Sequence, residues 1–363
     1  MIEGRKSPVF FRWIAYLGVI SILTISGMFV FSAIKISYSK DFGRDETFGL
    51  EGTVQRQSYK LFLTWGARGQ GSASPLDYIF IKALDEMWQK SFSNIPHNVY
   101  YRLNSIFWDL TAGLLVAFLF FIYFYRKTEN SWILVMQLGL ICMALFIFYF
   151  KSYNMHFATQ MRPYALWNSL GFVMLGIFML RGASIWVLVA GVLLAFTSSG
   201  ALLQIPALAF CRFLLRIVDQ ESVVDALKET LAIFTLPVLV AGYYASHADK
   251  FIYVTTPADY QKYTDEFYSF WKSKGRIPLV SGIGILLTIW NRQWRGCTAV
   301  FLMTFLLYWL APVINKNILS SGFFFTSRQY LYLDLIYPFF LLMLALVLPG
   351  YWQLRKNKLF SPR

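Results

Sequence analysis

Residues Tyr153 to Leu170 read YNMHFATQMRPYALWNSL, and a lone Arg-Pro-Tyr, Arg162 to Tyr164, stands there at the mouth of a strongly apolar run. Pro163 suits the first turn of a helix, where its missing N–H costs nothing. The helix is predicted to start at that proline and run through Leu180, which leaves Arg162 at the rim. A guanidinium at such a rim is poised to meet an anion that itself sits at the edge of a membrane.

Other apolar runs surround this one. The chain is 57% hydrophobic, 19% aromatic and only 14% charged, with mean hydropathy +0.50. A soluble domain averages about 45–50% apolar and about 25% charged residues. Runs of spanning length, roughly 17–25 residues, make this an all-α, polytopic helical membrane protein. Basic Arg5, Lys6 and Arg12 precede the run from Trp13 to Ile34, which is too long for a signal-peptide core and reads as a retained first span. Later candidate spans are Ile106–Tyr125, Trp132–Phe150, Tyr164–Leu180, Ser184–Thr197, Gly200–Leu215, Leu231–Ala245, Ile277–Trp290, Thr298–Val313 and Tyr330–Leu348, ten in all with the first. Within them, Ser184–Leu215 and Ile277–Val313 have members short enough to be re-entrant hairpins.

Alternating the ten spans is a test of charge. One side receives Arg126, Lys127, Arg181, Arg212, Arg216, Lys228, Arg292, Arg295 and the tail Arg355, Lys356, Lys358 and Arg363. The short connections on the other side hold only Lys151, Arg162, Lys316 and Arg328. Cytoplasmic loops collect Lys and Arg, so both termini are expected in the cytoplasm, and the net charge of +14 is no reason to invoke nucleic acid. With no Asn-x-Ser/Thr sequon on the outer side, a bacterial inner membrane is the expected location. Cys142, Cys211 and Cys297 lie in or beside spans, with no metal spacing.

Residues 1–363 thus read as one integral membrane domain with two outer loops, 35–105 and 246–276. In the first, SASPLDYIFIKALDEMW has helix-start chemistry: Ser74 as N-cap, Pro75 at the first position and Asp77 three after the cap. Leu76, Ile79, Phe80, Ala83, Leu84, Met87 and Trp88 follow helical spacing, and Lys82, Asp85, Glu86 and Lys90 are polar, so the helix is expected to lie flat in the outer interface. Tyr260, Tyr263, Phe267, Phe270 and Trp271 repeat the pattern more weakly in the second loop.

Adjacent acids, Asp45 and Glu46, follow the first span in DFGRDETFGLEG. They can supply a general base or hold a divalent cation such as Mg2+ or Mn2+; the plainer alternative is a solvated loop. His156 and Gln160 precede Arg162, Asp109 lies near the outer end of the second span, and Arg328 and Asp334 near that of the last. Ionisable groups within spans are costly and default to functional candidates. The alternative is internal pairing, with Asp109 or Asp334 held by Arg162 or Arg328.

This arrangement resembles the multi-pass GT-C glycosyltransferases, in particular the protein-mannosyltransferase and aminoarabinose-transferase-like group. The acidic pair after the first span, SASPLDYIFIKAL, YYRLNSIFWDLTAGLLVAFLFF, MRPYALWNSLGFVMLGIFMLR, TSSGALLQIPALAF and TSRQYLYLDLIYPFFLLMLAL match that group in order. Where its members often carry His-Pro-Pro-Leu, this chain has Ala73-Ser74-Pro75-Leu76. The resemblance implies transfer of a sugar, with inversion, from a polyprenyl-phosphate-linked donor to a hydroxyl of a glycan, lipid or protein at the outer face. It puts the general base on Asp45, with Glu46 supporting orientation or a cation. The leaving phosphate falls to Arg162, Tyr164 and Arg328, with Asp109, His156 and Asp334 as supporting candidates. The competing expectations are a lipid-linked-sugar transporter or flippase, and a non-catalytic subunit of a polysaccharide assembly complex.

Overall fold

The computed structural model describes residues 8–67, 74–198, 200–247, 257–319 and 332–359. Its helices are α1 (Pro8–Tyr38), α2 (Arg44–Thr47), α3 (Tyr59–Trp65), α4 (Leu76–Met87), α5 (His97–Tyr100), α6 (Leu103–Lys127), α7 (Ser131–Phe150), α8 (Ser152–Ala158), α9 (Tyr164–Arg181), α10 (Ile185–Thr197), α11 (Ala201–Val218), α12 (Val223–Ser246), α13 (Pro257–Ser273), α14 (Arg276–Thr288), α15 (Arg295–Leu319) and α16 (Ile336–Leu359). No strand occurs among the described residues. Among the described residues seven helices, within 9–38, 97–127, 131–150, 164–181, 201–218, 292–314 and 332–350, are long and apolar enough to cross a membrane; α10 and α14 are apolar but shorter. The expected span at 231–245 lies inside α12, whose opening turns carry Asp225, Lys228 and Glu229.

Lipid tails are as apolar as the helices, so close packing and polar contacts hold such a bundle together. The helix α6 packs on α9, α7 on α16, α10 on α12, and α15 on both α11 and α14. Phe148 and Phe172 stack at 4.1 Å between ring centroids across α7 and α9. Gln137 on α7 donates to the Ala345 carbonyl of α16 at 3.0 Å, and Tyr149 donates to the Leu110 carbonyl of α6 at 3.0 Å. The start of α15 crosses the end of α9 backbone to backbone. A Cβ at Gly296 would stand 2.6 Å from the Phe178 carbonyl oxygen and 3.0 Å from that of Met179.

That crossing fixes the two ends of the bundle, because Arg162 stands at the opposite end of α9, roughly 27 Å away at 1.5 Å per residue. At the Gly296 end Arg295 grips Asp219 through Nη2 at 2.6 Å and Nε at 3.0 Å. Arg212 and Arg216 share Glu229 there. At the Arg162 end the first loop meets α12, whose Tyr243 and Tyr244 hydroxyls donate to the Thr64 and Leu63 carbonyls at 2.5 and 2.8 Å. Many of the arginines expected on one side therefore do gather at one end.

Helix α4 departs from expectation at its start. Ser74 does not cap it; Pro75 occupies the cap position, and the Ser74 hydroxyl donates instead to the Ala195 carbonyl of α10 at 3.4 Å. Its buried face is Asp77, Tyr78, Ile81 and Asp85, while most of the apolar set at helical spacing is only half-buried or exposed.

Replacing Gly296 with Ala is expected to lower the thermal midpoint in detergent, with a destabilisation of about 1–3 kcal/mol from overpacking. Gly282→Ala on α14, where a Cβ meets nothing within 4 Å, is expected to be neutral or slightly stabilising. Equal effects of the two would contradict the crossing.

Candidate functional site at the mouth of helix α9

Two charged side chains organise this end. Arg102, fully buried just before α6, forks onto Glu46, itself 3% exposed, with Nε 3.0 Å from Oε1 and Nη2 2.9 Å from Oε2. The remaining donors of Arg102 reach back to α1 and the turn after it: Nη1 to the Ser37 carbonyl at 3.2 Å, and Nη2 to that of Asp41 at 2.8 Å. Two backbone N–H groups complete the Glu46 carboxylate, Gly43 on Oε2 at 2.9 Å and Met161 on Oε1 at 2.7 Å. Burial alone would raise this carboxyl. The Arg102 guanidinium and the two N–H donors outweigh it and hold Glu46 below the usual carboxylate range.

The Met161 contact joins loop to bundle. The peptide unit between Gln160 and Met161 is held at both poles, because its carbonyl accepts from Ser105 Oγ of α6 at 2.6 Å while its N–H serves Glu46. Arg162 follows immediately, half-buried, and α9 begins at Tyr164 with Pro163 in the cap position.

Arg162 faces the inner side of α4. Its charge acts on Asp77 and Tyr78, and it hydrogen-bonds to Tyr78; the Tyr164 phenol lies close enough to Tyr78 to act on it as well. Asp77 is 1% exposed and accepts from Asn104 Nδ2 at 2.8 Å. Asn104 is in turn oriented by the indole N–H of Trp108, one turn along α6, at 3.0 Å. Burial pushes the Asp77 carboxyl up to about 7, against the lowering effects of Asn104 and Arg162.

The other expected residues fall as follows. Both oxygens of Glu46 are fully engaged, so it orients the loop and has no lone pair left for a cation or a reacting proton. Asp45 lies next to it in α2, with its side chain outside the described residues. Arg328 falls in 320–331, also outside them. Among the described residues Asp109 has no arginine partner; it accepts from Ser169 Oγ of α9 at 2.5 Å, inside the bundle. Asp334 takes lysines instead of arginines, Lys151 at 2.8 Å and Lys274 on its other oxygen. His156 is exposed, its Nε2 3.0 Å from the Gln160 amide. Among the described residues no three His, Cys, Asp or Glu side chains converge to hold a metal ion.

Arg102, Asn104 and Lys274 are the site-end residues that the sequence pattern did not single out, and Asp77 and Lys151 were marked there only as a helix-start acid and a loop charge. A signal for Arg102 existed, an arginine placed directly before a long apolar run. Comparison of the chain with family models, curated proteins and solved structures finds no match.

A group whose pKa is depressed by folding stabilises above its unfolded pKa and loses that contribution as pH falls. Glu46→Gln, which leaves Arg102 buried without its counter-charge, is expected to cost on the order of 3 kcal/mol at pH 7. Its deficit against wild type should begin to shrink as pH falls below about 4.5, where Glu46 of the unfolded chain takes up its proton, and should vanish once the folded carboxyl also titrates, lower still. Thermal midpoints in detergent across that range check this, and a deficit independent of pH would contradict it.

Proposed function

We propose that the chain is an integral membrane glycosyltransferase that moves a sugar from a polyprenyl-phosphate donor to an acceptor hydroxyl at the outer face. The observation that carries this reading is the grip of Glu46 and Ser105 on the peptide unit before Arg162. It sets the segment bearing Asp45 and the segment bearing Arg162 side by side at one end of the bundle.

In this reading ten helices cross the bilayer, with both termini cytoplasmic and the Arg162 end outward in a bacterial inner membrane. Support comes from α10 and α14, the short apolar helices. The end of α10 meets Ser74; α14 follows Lys274, which holds Asp334, and ends beside Arg295, which reaches the Ile289 carbonyl. Helix α4 lies along the outer interface, with exposed Met87 available to lipid.

Transfer needs two things. The acceptor hydroxyl must lose its proton as its oxygen attacks the anomeric carbon, and Asp45 is the base for that step. The bond from that carbon to the phosphate oxygen breaks with its electron pair leaving on the phosphate, and inversion follows from attack opposite the leaving group. Charge gained by the lipid phosphate is stabilised by fixed cations and hydrogen-bond donors. Arg162 supplies the guanidinium and Tyr164 the phenol, joined by Arg328. The donor is already activated, so no nucleotide is consumed. Glu46 keeps the loop in place.

Mass analysis of envelope glycans and lipids with and without the gene identifies the sugar and acceptor. With that substrate pair, Arg162→Ala is expected to lower kcat/KM by about 100-fold or more, with the thermal midpoint little changed. Asp45→Asn should abolish transfer while donor binding persists. Unchanged donor kinetics in Arg162→Ala, or transport of a labelled lipid-linked sugar across vesicles without transfer, would overturn the reading.

A further inference from the structure

The mechanism above leaves Asp77 unused. It is buried, yet its second carboxyl oxygen, Oδ2, has no hydrogen-bond partner among the described residues. An unsatisfied buried acceptor costs roughly 1–3 kcal/mol, more if charged, so the arrangement calls for a partner that these residues do not supply. The first oxygen is pinned by Asn104, and Asn104 by Trp108. The carboxyl therefore cannot rotate freely to share its one donor.

We propose that Asp77 is a second contact for the phosphate of the lipid-linked donor and meets it as a carboxylic acid. Its Oδ2–H donates to a phosphate oxygen while Arg162 pairs with the charge. This inference rests on the reading that Arg162 receives the donor phosphate.

The chemistry follows from what surrounds the carboxyl. The groups bearing on it are Arg162 and the Asn104 amide, with the Tyr78 and Tyr164 phenols beside Arg162. An ionised Asp77 would repel a phosphate, whereas the acid form offers it a hydrogen bond. Burial already brings the carboxyl up to about 7, so the acid form is populated near neutral pH. Arg162 is one of the two groups restraining that rise. A phosphate that neutralises Arg162 removes the restraint, and Asp77 then holds its proton more tightly. The proton comes from solvent and goes to Oδ2, so phosphate binding above neutral pH carries proton uptake with it. A nearby carboxyl thus becomes a recognition element for the phosphodiester of the donor, alongside its fixed cations.

The test uses the full chain in nanodiscs of zwitterionic lipid. The probe is a short-chain prenyl methyl phosphodiester, which lacks the second ionisation, near pH 6, of a phosphate monoester. Calorimetric titration in two buffers of different ionisation enthalpy counts the protons taken up. Wild type is expected to take up close to one proton per probe at about pH 8, and to bind roughly tenfold more weakly per pH unit above that. Asp77→Asn, a neutral isostere, should bind with no uptake and with affinity flat over the same range. Binding by wild type without uptake, or uptake and slope persisting in Asp77→Asn, overturns the role of Asp77 and leaves the transferase reading standing. Failure of the folded wild type to bind the probe at any pH between about 6 and 9 overturns the donor reading and this inference together.

Discussion

The peptide unit between Gln160 and Met161 joins the loop after α1 to the helical bundle. Its carbonyl takes the Ser105 hydroxyl and its N–H gives to Glu46. Glu46 is in turn clamped by Arg102, which also gathers the carbonyls that follow α1. Three separate stretches of chain, residues 37–46, 102–105 and 160–161, thus meet around one carboxylate and one guanidinium. Removing either charge would leave the other buried and unpaired, so the joint is fixed by the cost of every alternative arrangement. Arg162, Pro163 and the first turn of α9 inherit their position from it.

The charges at this end sort by how completely they are answered. Glu46 has four donors on two oxygens and is held ionised. Asp334 is shared by two ammonium groups, and burial lowers Lys151 to about 8 even though Asp334 works to raise it. The Tyr337 ring, 3.8 Å from the Lys151 ammonium, adds a cation–π contact. Asp77 is the reverse case, a carboxyl with one amide donor and burial that favours its neutral form. Glu46 and Asp334 each sit against cationic partners at close range, whereas Asp77 has one amide donor and stands beside Arg162, the arginine that the proposed reading gives to the donor phosphate.

The apolar runs and the start of the Arg-Pro-Tyr helix were legible in the sequence, because desolvated backbone in a membrane permits little but helix and Pro163 marks a helix start. The inward face of α4 was not. Spacing marks apolar Leu76 and Ile79, which pack at the edge of the core, but not the burial of Asp77 and Asp85, which is decided by Asn104 and Tyr101 from later in the chain. Ser74 looked like a cap because its local spacing fits one, and a partner 121 positions away, Ala195, took its hydroxyl. The same limit applies to Asp334, whose expected arginines gave way to Lys151 and Lys274. Order and periodicity are local properties, whereas the partner of a buried charge is decided by the tertiary fold.

The most direct test of this account is the sidedness of its pieces. Single cysteines at Glu86 on α4, His156 on α8 and Lys228 on α12, all exposed positions, can be placed in a chain whose native Cys142, Cys211 and Cys297 are replaced by alanine. Labelling of intact cells with a membrane-impermeant maleimide should mark Glu86→Cys and His156→Cys alike and leave Lys228→Cys unmarked until the membrane is opened. Labelling that puts positions 86 and 156 on opposite sides of the membrane would contradict it.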